Sequence, residues 1–137
     1  MRKYTVDAQA TANYRDMYNE PCDCSSCRSF YKAFPFTCPE ALNILREMGL
    51  RSDSALEIMD FSWDADRSLR RYEAVFSANG ELLEDGLTIF DADARITLYR
   101  ADTSEPIYKN TGMQMPFFLV KVEARLPWLL PDEKPSD

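Results

Sequence analysis

The chain has 137 residues, with 16 basic and 23 acidic side chains, a formal net charge of −7 at pH 7 and no histidine. The lack of histidine excludes Ser-His-Asp and Cys-His catalysis, His-ligated zinc and haem held by an axial histidine. The acidic surplus argues against non-specific binding to nucleic acid or anionic membranes, because phosphates attract Lys and Arg. Apolar residues make up 45% of the chain and charged residues 28%, which is typical of a globular domain and excludes a disordered chain or a coiled coil.

The first third of the chain has the spacing of helices. Asp7 is predicted to cap a first helix that runs to Met17. A second helix is predicted from an apolar face at i, i+3, i+4 and i+7, formed by Cys27, Phe30, Tyr31 and Phe34. Pro35 should end it. Thr37 or Cys38 then caps a third helix, with Pro39 in its first turn and Gly49 after its last.

The remaining two-thirds of the chain changes to an alternation of period two, which predicts strands. We expect strands over residues 56–63, 71–77, 87–90, 96–99 and 117–126, with Met59, Phe61 and Trp63 on one side of the first. Helices followed by strands predict an α+β fold whose N-terminal helices pack on one face of an antiparallel sheet. Residues 1–130 should form a single domain, and the Pro-rich, charged residues 131–137 a flexible tail.

Three of the four cysteines lie within six residues: Cys22, Cys24 and Cys27. In an extended segment, side chains two residues apart point the same way, so the first two thiols can converge. Cys27 can fold back towards them from the start of a helix, which also favours the metal-binding thiolate. Cys38 at the start of the next helix could supply a fourth ligand. The four thiolates predict a closed, structural Zn²⁺ site.

Other interpretations of these thiols stay open. They could be reduced cysteines near a helix start, and Cys38, which follows a Phe-rich stretch, could be a small buried apolar residue. Cys24 and Cys27 form a C-x-x-C pair at a helix start, which would suit a thiol oxidoreductase or a redox sensor. An iron–sulfur cluster is disfavoured, since clusters held by four cysteines usually show other spacings.

Two further patterns are weaker candidates for sites. The pairs Asp64/Asp66 and Asp91/Asp93 could hold Mg²⁺ or Ca²⁺, but the third ligand, the glycine and the distal glutamate of a calcium loop are missing. Aspartate is a common turn former, so turns are favoured at both pairs. A basic cluster is formed by Arg67, Arg70 and Arg71. It could bind an anionic group, but balancing nearby carboxylates is favoured.

Residues 22–31 and 122–130 resemble two motifs of an uncharacterised family of small acidic bacterial proteins, mostly from Firmicutes. The motifs are C-x-C-x2-C-R-N-[FY] near the start and L-P-W-[VL]-L near the end. Ser29 departs from the first motif, which has Asn at that position. The resemblance implies a single bacterial cytosolic domain and no known activity.

The leading hypothesis is a cytoplasmic binding module that contacts an unknown protein partner and holds a structural zinc through Cys22, Cys24, Cys27 and Cys38. No apolar stretch follows Arg2-Lys3, and the longest apolar run, residues 116–120, is too short to cross a membrane, so neither a secretory signal nor a membrane span is expected. No P-loop, G-x-G-x-x-G or nucleophile elbow points to an enzyme. One alternative is an acidic inhibitor or immunity-type protein that blocks a basic partner. Another is a thiol redox protein that uses Cys24 and Cys27.

Overall fold

The computed structural model describes residues 3–17, 21–101 and 113–135. The helices are α1 (Ala8–Met17), α2 (Ser25–Thr37) and α3 (Pro39–Glu47), followed by a 3₁₀ turn at Ser52–Ser54. The strands are β1 (Glu57–Trp63), β2 (Arg70–Asn79), β3 (Leu87–Asp91), β4 (Arg95–Arg100) and β5 (Phe117–Leu126). Three helices in the N-terminal half and a five-stranded antiparallel sheet confirm the predicted α+β fold.

The sheet has the order β1-β2-β5-β4-β3, and every neighbouring pair is antiparallel. The two central strands pair over ten residues, from Arg70 opposite Leu126 to Asn79 opposite Phe117. The alternation predicted for β5 is confirmed, because its buried residues are Phe118, Val120, Val122, Ala124 and Leu126. These residues and the matching side chains of β2 form one core with the apolar faces of α2 and α3.

Aromatic side chains form the centre of this core where α2 crosses the sheet. Phe30 stacks on Phe34 with ring centroids 5.1 Å apart, and it contacts Tyr72 of β2 at 5.7 Å. All three side chains are fully buried. Each buried large apolar side chain contributes on the order of 1.5–3 kcal/mol, so the position of α2 on the sheet is strongly fixed.

Two helix boundaries were predicted correctly and one was wrong. The Asp7 carboxylate accepts a hydrogen bond from the Ala10 amide at 2.9 Å, and Gly49 adopts a positive φ of 86° after α3. A side chain at position 49 would collide with the carbonyl oxygen of Ala8, so glycine also lets α1 approach closely. The predicted stop at Pro35 is wrong, since α2 continues to Thr37. Proline removes one amide donor, but the next turn still closes because the Cys38 amide donates to Phe34 O at 2.8 Å.

The predicted single face for Met59, Phe61 and Trp63 is also wrong. Asp60 pairs with Tyr72, but Ser62 pairs with Arg71, so β1 contains one extra residue at Phe61. Such a bulge moves the following side chains to the other face. The guanidinium of Arg70 therefore lies over Trp63 on the helix side, while that of Arg71 lies over Phe61 on the opposite side.

Candidate metal centre

Three thiols converge at the N-terminus of α2. The Sγ atoms of Cys22, Cys24 and Cys27 all lie within 4.8 Å of one another. Cys22 and Cys24 are exposed in the segment before the helix, whereas Cys27 is buried in its first turn. Among residues 3–17, 21–101 and 113–135, no other group of three cysteine or carboxylate side chains is close enough to hold a metal ion.

Side chains of α2 hold the segment that carries the exposed cysteines. The hydroxyl of Tyr31 donates to Cys22 O at 3.0 Å, and Nε of Arg28 donates to Asp23 O at 2.7 Å. The other two nitrogens of Arg28 donate to the Glu133 carboxylate at 2.8 and 2.6 Å. The backbone around the thiols is therefore fixed by direct hydrogen bonds that need no metal.

A buried ion pair anchors the first turn of α2 to the sheet. The Ser26 hydroxyl donates to Asp60 of β1 at 2.8 Å, and the same carboxylate accepts from Nε of Arg70 at 2.9 Å. The side chains of Asp60 and Arg70 are only 9% and 1% exposed. Because each charge is desolvated, the pair stabilises the fold only while both partners are present. This contact was not predictable from spacing, since its residues come from three separate elements.

The three thiols differ in acidity. Burial raises the pKa of Cys24, but the amides of Cys27 and Ser26 and the neighbouring thiols favour its thiolate more strongly, so its pKa lies below the ordinary value. Burial, reinforced by the neighbouring sulfurs, raises the pKa of Cys27. A bound cation would favour the thiolate at all three positions, because thiolate is the form that coordinates metals.

The structure does not bring Cys38 to this cluster. Its thiol is buried at the far end of α2, where Sγ donates to Asp93 O at 3.2 Å, and burial raises its pKa to about 12. It lies eleven positions after Cys27, and the residues between the two are helical. At a rise of 1.5 Å per residue, this spacing puts the two cysteines roughly 16 Å apart along the helix. Three of the four predicted ligands are therefore close enough to hold a metal ion, and the fourth belongs to the core.

Asp64, Asp66 and Asp93 lie in turns, as expected, whereas Asp91 is the last residue of β3. Asp64 and Asp66 accept hydrogen bonds from the Ser68 amide, each at 3.0 Å, in the turn before β2. Asp93 has a role that the sequence did not show, because its carboxylate accepts from the amides of Glu40 and Ala41 at 3.0 and 3.2 Å. It therefore caps α3 from across the molecule, although Cys38 occupies the N-cap position.

The predicted basic cluster is divided between the two faces of the sheet. Arg70 faces the helices and pairs with Asp60, while Arg71 faces the other way and contacts Glu73 at 3.4 Å. Arg70 and Arg71 thus balance carboxylates, as predicted. Arg67, the third member of the cluster, lies in the turn before β2 with a positive φ of 61°.

Comparison of the chain with profiles of known protein families, with curated protein sequences and with solved structures gives no significant match. Within the part of the chain that the structure describes, no helix is both long enough and apolar enough to cross a membrane.

Proposed function

We propose that this protein is a metal-binding interaction module in which Cys22, Cys24 and Cys27 hold one Zn²⁺ as thiolates. The observation that carries this proposal is the convergence of three Sγ atoms within 4.8 Å. In a tetrahedral site with Zn–S bonds of about 2.3 Å, sulfur atoms lie roughly 3.8 Å apart. Small side-chain rotations would bring the thiols to that spacing.

The charge around the thiols supports a thiolate site. Three thiolates and one Zn²⁺ carry a net charge of −1, and the N-terminus of α2 presents the positive end of the helix dipole to it. Arg28 directly follows Cys27 in α2, and its guanidinium is fixed by Asp23 O and Glu133. The helix dipole therefore offsets part of the charge that remains after metal binding, whereas the charge of Arg28 is already balanced by the Glu133 carboxylate.

The geometry also supports a role in contacting a partner. Structural zinc sites usually have four protein ligands, whereas sites with three keep one position for water or an incoming ligand. Cys22 and Cys24 are exposed, so this fourth position would face outwards. A partner group could occupy it, which would make the metal part of the contact surface.

The experiment that tests metal binding is native mass spectrometry on protein purified without added metal, before and after a chelator. We expect a mass increment of one zinc in the wild type and its loss in Cys24→Ser. Cys38→Ser is the matched control, because it removes a thiol outside the cluster and should keep the zinc. Wild-type protein without metal, even after incubation with Zn²⁺, would contradict the proposal.

A second candidate function is thiol redox chemistry at Cys24 and Cys27. The observation that favours it is the short separation of their thiols together with the lowered pKa of Cys24. Oxidised glutathione should then remove two hydrogens from metal-free protein and form one disulfide. A stable disulfide in protein that never binds zinc would favour this function over the first. The acidic-inhibitor hypothesis stays a prediction, tested by the salt dependence of binding to a basic partner.

A further inference from the structure

A small cavity of about 220 Å³ lies between α1, the C-terminal end of α3 and the 3₁₀ turn. Its described lining residues are Ala12, Arg15, Arg46, Gly49, Leu50, Arg51 and Ser54. Three of these are arginines, and none of the described ones is acidic. This concentration of positive charge is unusual in a chain whose net charge is −7.

Arg15 is the residue that makes this cavity a candidate site. It is only 4% exposed, and its Nε and Nη1 atoms have no hydrogen-bond partner in the described part of the chain. Burial is the main cause that lowers the pKa of Arg15; the positive charge of Arg51 adds to it, whereas Tyr14 and Asp53 act in the opposite direction without reversing it. A buried guanidinium without an acceptor is costly, since desolvated charges normally have a paired counter-ion.

Neither of the ordinary explanations accounts for Arg15. A basic residue in the last turn of a helix can donate to the terminal carbonyls, and Arg15 has that position in α1. However, Nε and Nη1 donate to no carbonyl of the described residues. The nearby carboxylate of Asp53 contacts Nε of Arg51 at 3.2 Å instead.

A second, larger cavity of about 420 Å³ shares two of these arginines, Arg46 and Arg51. Its other described lining residues are Pro21, Tyr31, Pro35, Leu42, Ser52 and Asp53. Four of these six are aromatic, aliphatic or proline side chains. The two cavities together therefore offer a cationic chamber beside a largely apolar one, which is the usual pattern of a small-molecule site.

We propose that these cavities bind a small amphiphilic anion. A phosphate or carboxylate group of the ligand is held by Arg15, Arg46 and Arg51, and its apolar part lies against Tyr31 and Leu42. Guanidinium groups bind both kinds of oxyanion through paired hydrogen bonds, so the shared chemistry is a terminal oxyanion. The smaller cavity has roughly seven times the volume of a water molecule in the liquid, which suits one such group.

The test is isothermal titration calorimetry and thermal unfolding with inorganic phosphate, phenyl phosphate and benzoate, against sodium chloride at equal ionic strength. We expect phenyl phosphate or benzoate to raise Tm above the chloride control, and the one that binds more tightly identifies the oxyanion. Inorganic phosphate should bind more weakly than phenyl phosphate. Equal affinity for inorganic phosphate and phenyl phosphate would contradict the proposal that the larger cavity binds the apolar part of the ligand.

Arg15→Met should weaken binding about tenfold or more, because it removes charge-assisted hydrogen bonds. The same change should leave the Tm of the ligand-free protein unchanged or higher, since it replaces an unpaired buried charge by an apolar chain of similar length. Arg46→Gln, at an exposed position, provides a second variant that should fold normally and bind more weakly. Arg125→Gln, outside both cavities, should bind as the wild type does.

Two results would overturn the proposal. One is the absence of any shift in Tm beyond that of sodium chloride for all three anions. The other is wild-type affinity in both Arg15→Met and Arg46→Gln. Neither result depends on zinc, so this test is independent of the metal centre.

Discussion

The two ends of α2 each have a buried cysteine, but the surroundings of the two thiols differ. At the N-terminal end, Cys27 lies beside two exposed thiols and beside helix amides that favour the Cys24 thiolate. At the C-terminal end, Cys38 lies in the core and donates to a single carbonyl, Asp93 O. The two cysteines are buried to a similar extent. The comparison therefore teaches that the ability of a cysteine to bind a metal depends on the donor atoms beside it and on which end of the helix it occupies.

The largest expected effect comes from removing Asp60, which anchors the N-terminal end of α2 to the sheet through Ser26 and Arg70. Asp60→Ala leaves the guanidinium of Arg70 buried without this carboxylate, so we expect a loss of about 3–5 kcal/mol in the free energy of unfolding. Urea denaturation measures this loss. Asp91→Ala is the control, because it breaks the exposed pair with Arg95 and should cost at most about 1 kcal/mol. Equal losses in the two variants would show that Asp60 does not anchor the helix.

The second-largest expected effect is stabilisation by zinc, which should depend on the cysteine at the N-terminal end of α2 and not on the one at its C-terminal end. With free zinc at 100 times its dissociation constant, ligand binding should stabilise the wild type by about 2.7 kcal/mol. Cys24→Ser should lack this gain, whereas Cys38→Ser should keep it. Thermal unfolding with zinc and with a chelator measures both. The same zinc-dependent gain in all three proteins would mean that the metal binds elsewhere.

The smallest effect concerns the C-terminal end and appears at alkaline pH. The pKa of Cys38 is raised to about 12 from an ordinary value of 9.0, so the unfolded chain loses this proton at lower pH than the folded chain does. Stability from this residue is therefore present below about pH 9 and is lost as the pH rises towards 12, with a limiting slope of about 1.4 kcal/mol per pH unit.

Cys38→Ala removes this group. The difference in free energy of unfolding between this variant and the wild type should therefore shift in favour of the variant by about 1 kcal/mol from pH 8 to pH 10. Urea titrations at both pH values measure the difference. Leu83→Ala, which removes an exposed side chain without a titratable group, is a control in which the pH dependence should follow the wild type. A constant offset between Cys38→Ala and the wild type across this range would contradict a thiol that stays protonated in the core.

Local signals in the sequence predicted much of the fold. Asp7 and Gly49 marked helix ends because capping and a positive φ depend on one or two residues. The alternation in residues 117–126 predicted β5 with the observed bounds, since a strand with one buried face must alternate.

Long-range contacts explain what could not be predicted. The anchor between Ser26 and Asp60 and the cap of α3 by Asp93 join residues that are 34 and more than 50 positions apart. The bulge at Phe61 depends on the register in which β1 pairs with β2, and this register cannot be deduced from the sequence of β1 alone. Cys38 is a different case, because the length of α2 alone places it far from Cys27. The helical pattern in the sequence was therefore enough to exclude Cys38 as a ligand of the same metal.

The most direct test of the central claim is zinc K-edge X-ray absorption on the purified, zinc-loaded protein. A site made by Cys22, Cys24 and Cys27 predicts three sulfur neighbours at about 2.3 Å and one oxygen or nitrogen neighbour. Four sulfur neighbours in wild type, reduced to three in Cys38→Ser, would contradict the account by making Cys38 a ligand. A spectrum with no sulfur neighbours would contradict the metal centre itself.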